Sequence, residues 1–358
     1  MLRKYLFAII YSVLLTAFTV YVLMDTFVIT RVYSSVPAVE ASSEAGSDAA
    51  DSDTAVADSD SAVVESASAH AEEEATLDAS APAETEAGEA EDTIKGSPEV
   101  SGASEQTSES PTSQQPVSTA TSYQDENITI TLSEYREYDT SIYVADIKLS
   151  SPEYLQTALA QNAYGKNVTE KTSEMAVENG AILAINGDYY GSQETGYVLR
   201  NGVLYRDIAE RGQEDLVIYE DGSFEIISED EVTAQELLDK GAAQILSFGP
   251  ALVTDSEVSV TAGEEVGKAK SSNPRTAIGV IDDLHYVFVV SDGRTDESEG
   301  LSLYQLAEFM SGLGAETAYN LDGGGSSSMV LNGNVINNPT SSGNRIKERS
   351  VSDIVYIG

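Results

Sequence analysis

From Tyr5 to Thr30 almost every position is apolar, and Asp25 is the only charge. At about 1.5 Å per helical residue such a run crosses a hydrocarbon core of ~30 Å, so residues 5–30 are expected to form a transmembrane helix. Arg3 and Lys4 precede the run and a long acidic stretch follows it. That bias places the N-terminus in the cytoplasm and the rest outside, as a single-pass protein of the cell membrane. The alternative is a cleaved signal peptide, whose apolar core is only about 7 to 15 residues long. Residues 1–35 are therefore assigned to a short cytoplasmic N-terminus and signal anchor.

Hydrophobic patterning then stops. Between residues 36 and 122 the chain is mostly Ala, Ser, Glu, Asp, Thr, Pro and Gly, with Lys95 its one basic residue. So little bulky apolar surface cannot offset ordering entropy, and the stretch is expected to be a disordered, self-repelling acidic linker. Roughly half of the formal net charge of −41 lies there. A chain this acidic lacks the clustered Lys and Arg from which nucleic-acid affinity arises, so no nucleic-acid partner is expected.

Patterning resumes in residues 123–358, read as one folded domain. Alternation over 128–132 and 141–149 predicts half-buried strands, and the apolar run 181–185 a buried one. Two hairpins follow: 216–219 with 224–227 through Asp221-Gly222, and 276–281 with 285–290 through Asp282-Asp283. Residues 169–179 have helical character ended by Gly180. Leu303, Leu306, Ala307, Met310 and Leu313 recur at helical spacing, with Ser302 and Gln305 as a capping box. A further strand over 318–321 delivers Asp322 to a glycine turn. The expected class is α+β, with a mixed, mainly antiparallel sheet and packed helices, preceded by the transmembrane helix and the tether.

Cysteine is absent, which excludes disulfides, zinc–thiolate sites and a cysteine nucleophile. Of two histidines, His70 lies in the linker and His285 in a strand pattern, so a Ser-His-Asp triad is disfavoured. The most unusual segment is Asn320-Leu-Asp-Gly-Gly-Gly-Ser-Ser-Ser328, because three consecutive glycines cost backbone entropy and supply no side chain to pack. Their amides can converge on an anion, with serine hydroxyls as further donors. No Gly-Lys-Ser/Thr follows, which excludes the nucleotide phosphate loop. Three more segments pair turn residues with strand ends: Asn186-Gly-Asp-Tyr-Tyr-Gly191, Asn273-Pro-Arg-Thr-Ala-Ile-Gly279 and Ser291-Asp-Gly-Arg294. Arg275 and Arg294 lie beside such turns, and guanidinium suits phosphate or carboxylate. Asp188, Asp292, Asn320 and Asp322 offer hard oxygen ligands, so Ca²⁺ or Mg²⁺ is possible, although nothing in the sequence requires a cofactor.

Together with Gly300-Leu-Ser-Leu303 and Glu348-Arg-Ser-Val-Ser352, these motifs resemble the phosphodiester glycosidase domain family from about Asn179 to the C-terminus. The chain departs from the commoner pattern at Ser350, where proline is expected, and at Asp188. The resemblance implies hydrolysis of the C1–oxygen bond of a sugar 1-phosphodiester such as an N-acetylglucosamine 1-phosphodiester, within envelope polysaccharide or exopolysaccharide. On that footing Arg275, Arg294 and Arg349 are assigned to the phosphate, with the Gly323, Gly324 and Gly325 backbone and Ser326 as added donors. Asp322 is the first choice for general base or nucleophile, with Asp188 or Asp292 as second carboxylate. Asn186 and Asn320 position sugar or water, and Gly187 and Thr276 complete the substrate-binding set. Two other readings stand beside it: a module that binds phosphosugar polymer without cleaving it, and a phosphodiesterase that attacks phosphorus.

Overall fold

The computed structural model describes residues 2–35, 116–262, 272–341 and 345–358. The linker expected at 36–122 lies outside them up to residue 115, while Val117–Ser118 and Ser122–Gln124 already form strands of the folded domain.

Residues Leu2–Phe27 form one helix. Among the described residues, however, no helix is long and apolar enough to cross a membrane. This overturns the expected transmembrane helix at 5–30, and with it the single-pass placement and cytoplasmic N-terminus. The apolar run is broken by Ser12, Thr16 and Thr19, whose two threonine hydroxyls donate to Ser12 and Leu15 carbonyls. Its distal end is tied to the domain: Asp25 pairs with Arg31, and Arg31–Ser35 pairs antiparallel with Ala163–Lys166.

The α+β expectation also gives way, to a mainly β fold. Among the described residues every ladder is antiparallel, and the helices of the domain are short plates on the outer faces of sheets. Period-two patterning dominates the domain, so a buried sheet face recurs where a helix would need a period of 3.6.

Among the described residues the largest sheet has nine strands, and its centre runs Thr317–Leu321, Arg275–Asp282, His285–Ser291, Thr140–Leu149 and Ile128–Glu137. A second sheet of five strands places Leu183–Asn186 between Met329–Leu331 and Asp353–Ile357. A third contains Val198–Arg200, Ala242–Leu246 and Glu214–Tyr219. Alternation sorts the side chains. Ile278, Phe288 and Val290 join Ile185, Val355, Leu216 and Leu246 in a core shared by all three sheets. Their neighbours Ala277, Val287 and Val289 face the helix Leu303–Gly312 through Leu306 and Met310. That helix carries the capping box read from Ser302 and Gln305. The helices Thr172–Glu178 and Ala234–Asp239 cover the second and third sheets in the same way.

Candidate active site

The cleft forms where two strands from different sheets end together. Leu183–Asn186 leads into Gly187, Thr317–Leu321 leads into Asp322, and the two ends are stapled by Asn186. Its Nδ2 donates to the Asp322 carbonyl at 2.7 Å, and its Oδ1 accepts from Thr276 Oγ1 at 2.8 Å and from the Ser328 amide at 3.2 Å. The Asp322 amide in turn donates to the Gly187 carbonyl at 3.3 Å. Asn186 and Thr276 are fully buried, so they act behind the site and hold its backbone.

Asp322 is 9 % exposed and lines a cleft of about 460 Å³. Ser326 Oγ donates to Asp322 Oδ2 at 2.5 Å and Arg349 Nη2 to the same oxygen at 3.0 Å. Both bonds fall on Oδ2, and a backbone hydrogen bond from Gly323 also reaches this carboxylate. Burial raises the Asp322 pKa, while the Arg349 charge and the Ser326 hydroxyl act to lower it.

Three arginines line the same cleft: Arg275, Arg294 and Arg349. Arg275 is 4 % exposed and its Nε donates to the Leu301 carbonyl at 2.9 Å. Arg294 adopts a left-handed φ of 61° and donates to Asn273 Oδ1 through Nε and Nη2. Asn320 also lines the cleft. Its Nδ2 donates to the Gly249 carbonyl at 2.7 Å, and its buried Oδ1 has no partner among the described residues.

The glycine run meets its neighbours closely. A Cβ at Gly324, where φ is +61°, would stand 2.9 Å from Arg294 Nη2, and one at Gly323 would stand 2.9 Å from the Pro274 carbonyl oxygen. Bare backbone is therefore needed to seat Arg294 and the Pro274 turn. The Gly324 amide donates to that Pro274 carbonyl at 2.8 Å, and the Ser326 amide to the Gly323 carbonyl at 3.2 Å. These two amides serve the turn. Gly325 lies against Thr340 and Ser341, and its carbonyl accepts the Arg349 amide at 3.3 Å.

Asp188 lines an adjoining pocket of about 480 Å³ together with Asp322, Ser326 and Arg349, while the hydrogen bonds of Asp188 and Asp292 run to other partners. Asp188 Oδ2 accepts from Arg200 Nη2 at 2.7 Å and from the Ser247 amide at 3.0 Å, and Oδ1 accepts the Tyr190 amide. Asp353 Oδ2 accepts from the same arginine at 2.7 Å and 3.0 Å. Burial acts to lower the Arg200 pKa, but the charges of Asp188 and Asp353 outweigh it. Asp292 accepts from Tyr143, from both Asn338 nitrogens and from Asn337, and so anchors the 337–340 loop. Among the described residues no three Asp, Glu, His or Cys gather to hold one metal ion. Sequence reasoning missed Arg200 and Asp353, although a charged residue inside an apolar strand was a usable signal. It also missed Gln193, Gln213 and Phe248, cleft residues with no local signature.

Residues 179–358 match the family model described as phosphodiester glycosidase. The chain is 33 % identical over 180 residues to the SPbeta prophage-derived uncharacterized protein YomE of Bacillus subtilis, covering 49 % of this chain and 28 % of that one. It is 31 % identical over 184 residues to bovine N-acetylglucosamine-1-phosphodiester α-N-acetylglucosaminidase, covering 47 % and 34 %. The aligned part thus spans about a third of the length of these curated relatives. The catalytic domain of the zebrafish enzyme of that name, auto-inhibited by its pro-peptide, superposes with a TM-score of 0.52 at 22 % identity, covering 64 % of this chain and 82 % of that one. That likeness is one of fold.

Proposed function

The chain belongs to the phosphodiester glycosidase family, and from that footing we propose that its cleft hydrolyses sugar 1-phosphodiesters, with N-acetylglucosamine as the model sugar and a glycan polymer as the setting. One observation carries the reading. In a chain of net charge −41, the residues lining the cleft include three arginines and a single carboxylate.

That ratio suits the chemistry. Ordinary glycoside hydrolysis uses two carboxyl groups, because an alkoxide leaving group needs a proton. A phosphate monoester leaves as a weakly basic anion, its second pKa being about 6. One carboxylate is then enough, provided cations hold the phosphate oxygens as charge builds on them. Arg275, Arg294 and Arg349 supply that charge. Asp322 acts at the sugar, as nucleophile on C1 or as the base that takes the proton from water. The C1–O bond breaks with its electron pair passing to the phosphate oxygen, and water supplies the new hydroxyl on C1. The products are the free sugar and a phosphate monoester.

The test is hydrolysis of methyl N-acetylglucosamine 1-phosphate in ¹⁸O-labelled water. Label in the sugar is the expected result. Label in the phosphate would instead mean attack on phosphorus, and binding without turnover would mean a binding module.

A further inference from the structure

A second pocket, of about 230 Å³, opens beside the cleft, and Gln193 lines both. Its wall is a run of tyrosines that leads outward from the buried Arg200 network. Arg200 lies over the Tyr190 ring, 5.7 Å from its centroid. Tyr164 stacks on Tyr190 with centroids 5.4 Å apart and planes 19° apart. Tyr205 and Tyr33 then meet Tyr164 at 5.1 Å and 5.8 Å. Tyr33 comes from the strand Arg31–Ser35 and is 57 % exposed, so the N-terminal segment completes the pocket.

Polar groups surround these rings. Arg206 is 8 % exposed and lines the pocket; its Nε and Nη1 are taken by the carbonyls of Gly196, Tyr190 and Gln193. Its Nη2 is buried and has no hydrogen-bond partner among the described residues. Burial raises the Tyr164 pKa, and the Arg206 charge opposes it, so the guanidinium and the phenol share one wall. The Lys166–Glu194 ion pair contributes further polar atoms to the lining.

We propose that this pocket is a second sugar-binding subsite, holding one pyranose of the same glycan whose glycosyl phosphate occupies the cleft. Aromatic faces carry negative charge density and meet the weakly positive C–H face of a pyranose, while ring hydroxyls need donors and acceptors at the edge. The exposed Tyr33 and half-buried Tyr205, backed by the buried Tyr164 and Tyr190 and bordered by Arg206, Lys166 and Glu194, offer both. The volume lies below the roughly 300–1,000 Å³ of drug-sized sites, which suits a single ring. Continuity through Gln193 favours a sugar of the same substrate over an unrelated ligand. The occupant rests on the function proposed above; the pocket does not.

The experiment titrates the full chain carrying Asp322→Asn with the β1,4-linked trimer of N-acetylglucosamine by calorimetry. In parallel, the parent chain is assayed for turnover of methyl N-acetylglucosamine 1-phosphate. Tyr33→Ala and Tyr205→Ala are each expected to weaken trimer binding about tenfold, and Ile208→Trp, which fills the mouth of the pocket, to abolish it. Tyr205→Phe keeps the ring and should restore most of the affinity. Thermal melts check that each variant is folded. Absence of trimer binding, or equal binding in all variants, overturns the subsite even if the diester is turned over. Pocket-dependent trimer binding without diester turnover leaves the subsite standing and sinks the enzymatic reading.

Discussion

Arg349 Nη2 lies 3.0 Å from Asp322 Oδ2 and 2.5 Å from Ser326 Oγ, whose hydroxyl donates to that same carboxylate oxygen. A cation and a hydroxyl thus converge on one oxygen of the cleft's single carboxylate. They bring together positions 322, 326 and 349, and the last comes from a separate C-terminal motif.

Asp322→Asn should keep the fold and lower kcat/KM by about 10³-fold, within the range for removing a group that transfers a proton or forms a covalent bond. Steady-state kinetics on a methyl sugar 1-phosphate decide it. Near-parental turnover in a folded variant would take Asp322 out of the chemistry.

The acid limb of activity should lie above the ordinary Asp value of 3.8, because burial raises the Asp322 pKa and the reaction needs its ionised form. Arg349 opposes that shift, so Arg349→Gln should move the limb to higher pH while lowering kcat/KM throughout. A pH profile of kcat/KM reads both effects, and a limb that stays put or moves down would contradict the pairing.

Arg294→Ala should cost about 10²-fold in kcat/KM, as expected for losing one donor to a developing anion. Lys95→Ala, in the acidic stretch, should change nothing. Equal kinetics for the two variants would remove the cleft arginine from phosphate recognition.

Stability should decline as pH rises from about 4 to about 8. Burial and then the Asp188 charge raise the Asp353 pKa from 3.8 to about 8, with Arg200 opposing. The folded state therefore holds a proton that the unfolded state releases above pH 3.8. This contribution is fully present below the unfolded value and is lost as pH rises through about 8. Melting temperature should fall between about pH 4 and 8 by roughly several degrees and level off above that, and Asp353→Asn should flatten that slope. Arg200→Met should destabilise by about 3–5 kcal/mol at neutral pH, since it leaves the buried Asp188 without its cation.

Gly187→Ala should destabilise by about 1–3 kcal/mol, because its Cβ would stand 2.4 Å from Asp353 Oδ1 in a packed interior. Its carbonyl accepts the Asp322 amide, so kcat should fall as well. Calorimetry and kinetics on one preparation test whether the two losses occur together.

Much of the local structure was legible because its causes lie within a few residues. The Ser302–Gln305 capping box, the Asp221-Gly222 and Asp282-Asp283 hairpins and the delivery of Asp322 to a glycine turn all occur where the chain pattern placed them. The apolar N-terminal run shows the limit of that reading: it forms a helix, but membrane crossing depends on length and hydropathy together, and the described part does not meet that test.

The sequence by itself put Asp322 first among three candidate carboxylates, with Asp188 or Asp292 second, although each sits in the same local setting of a strand end beside glycine. Only the tertiary structure gave each its partners. Asp188 meets Arg200, 12 residues away, and Asp292 meets the 337–338 loop, 45 to 46 residues away. Asp322 borders the cleft with Arg349 and Ser326 beside it. The physical reason is range: turns, caps and alternation are set by neighbours in sequence, whereas a carboxylate's role depends on which cation and how much water reach it after distant strands have packed.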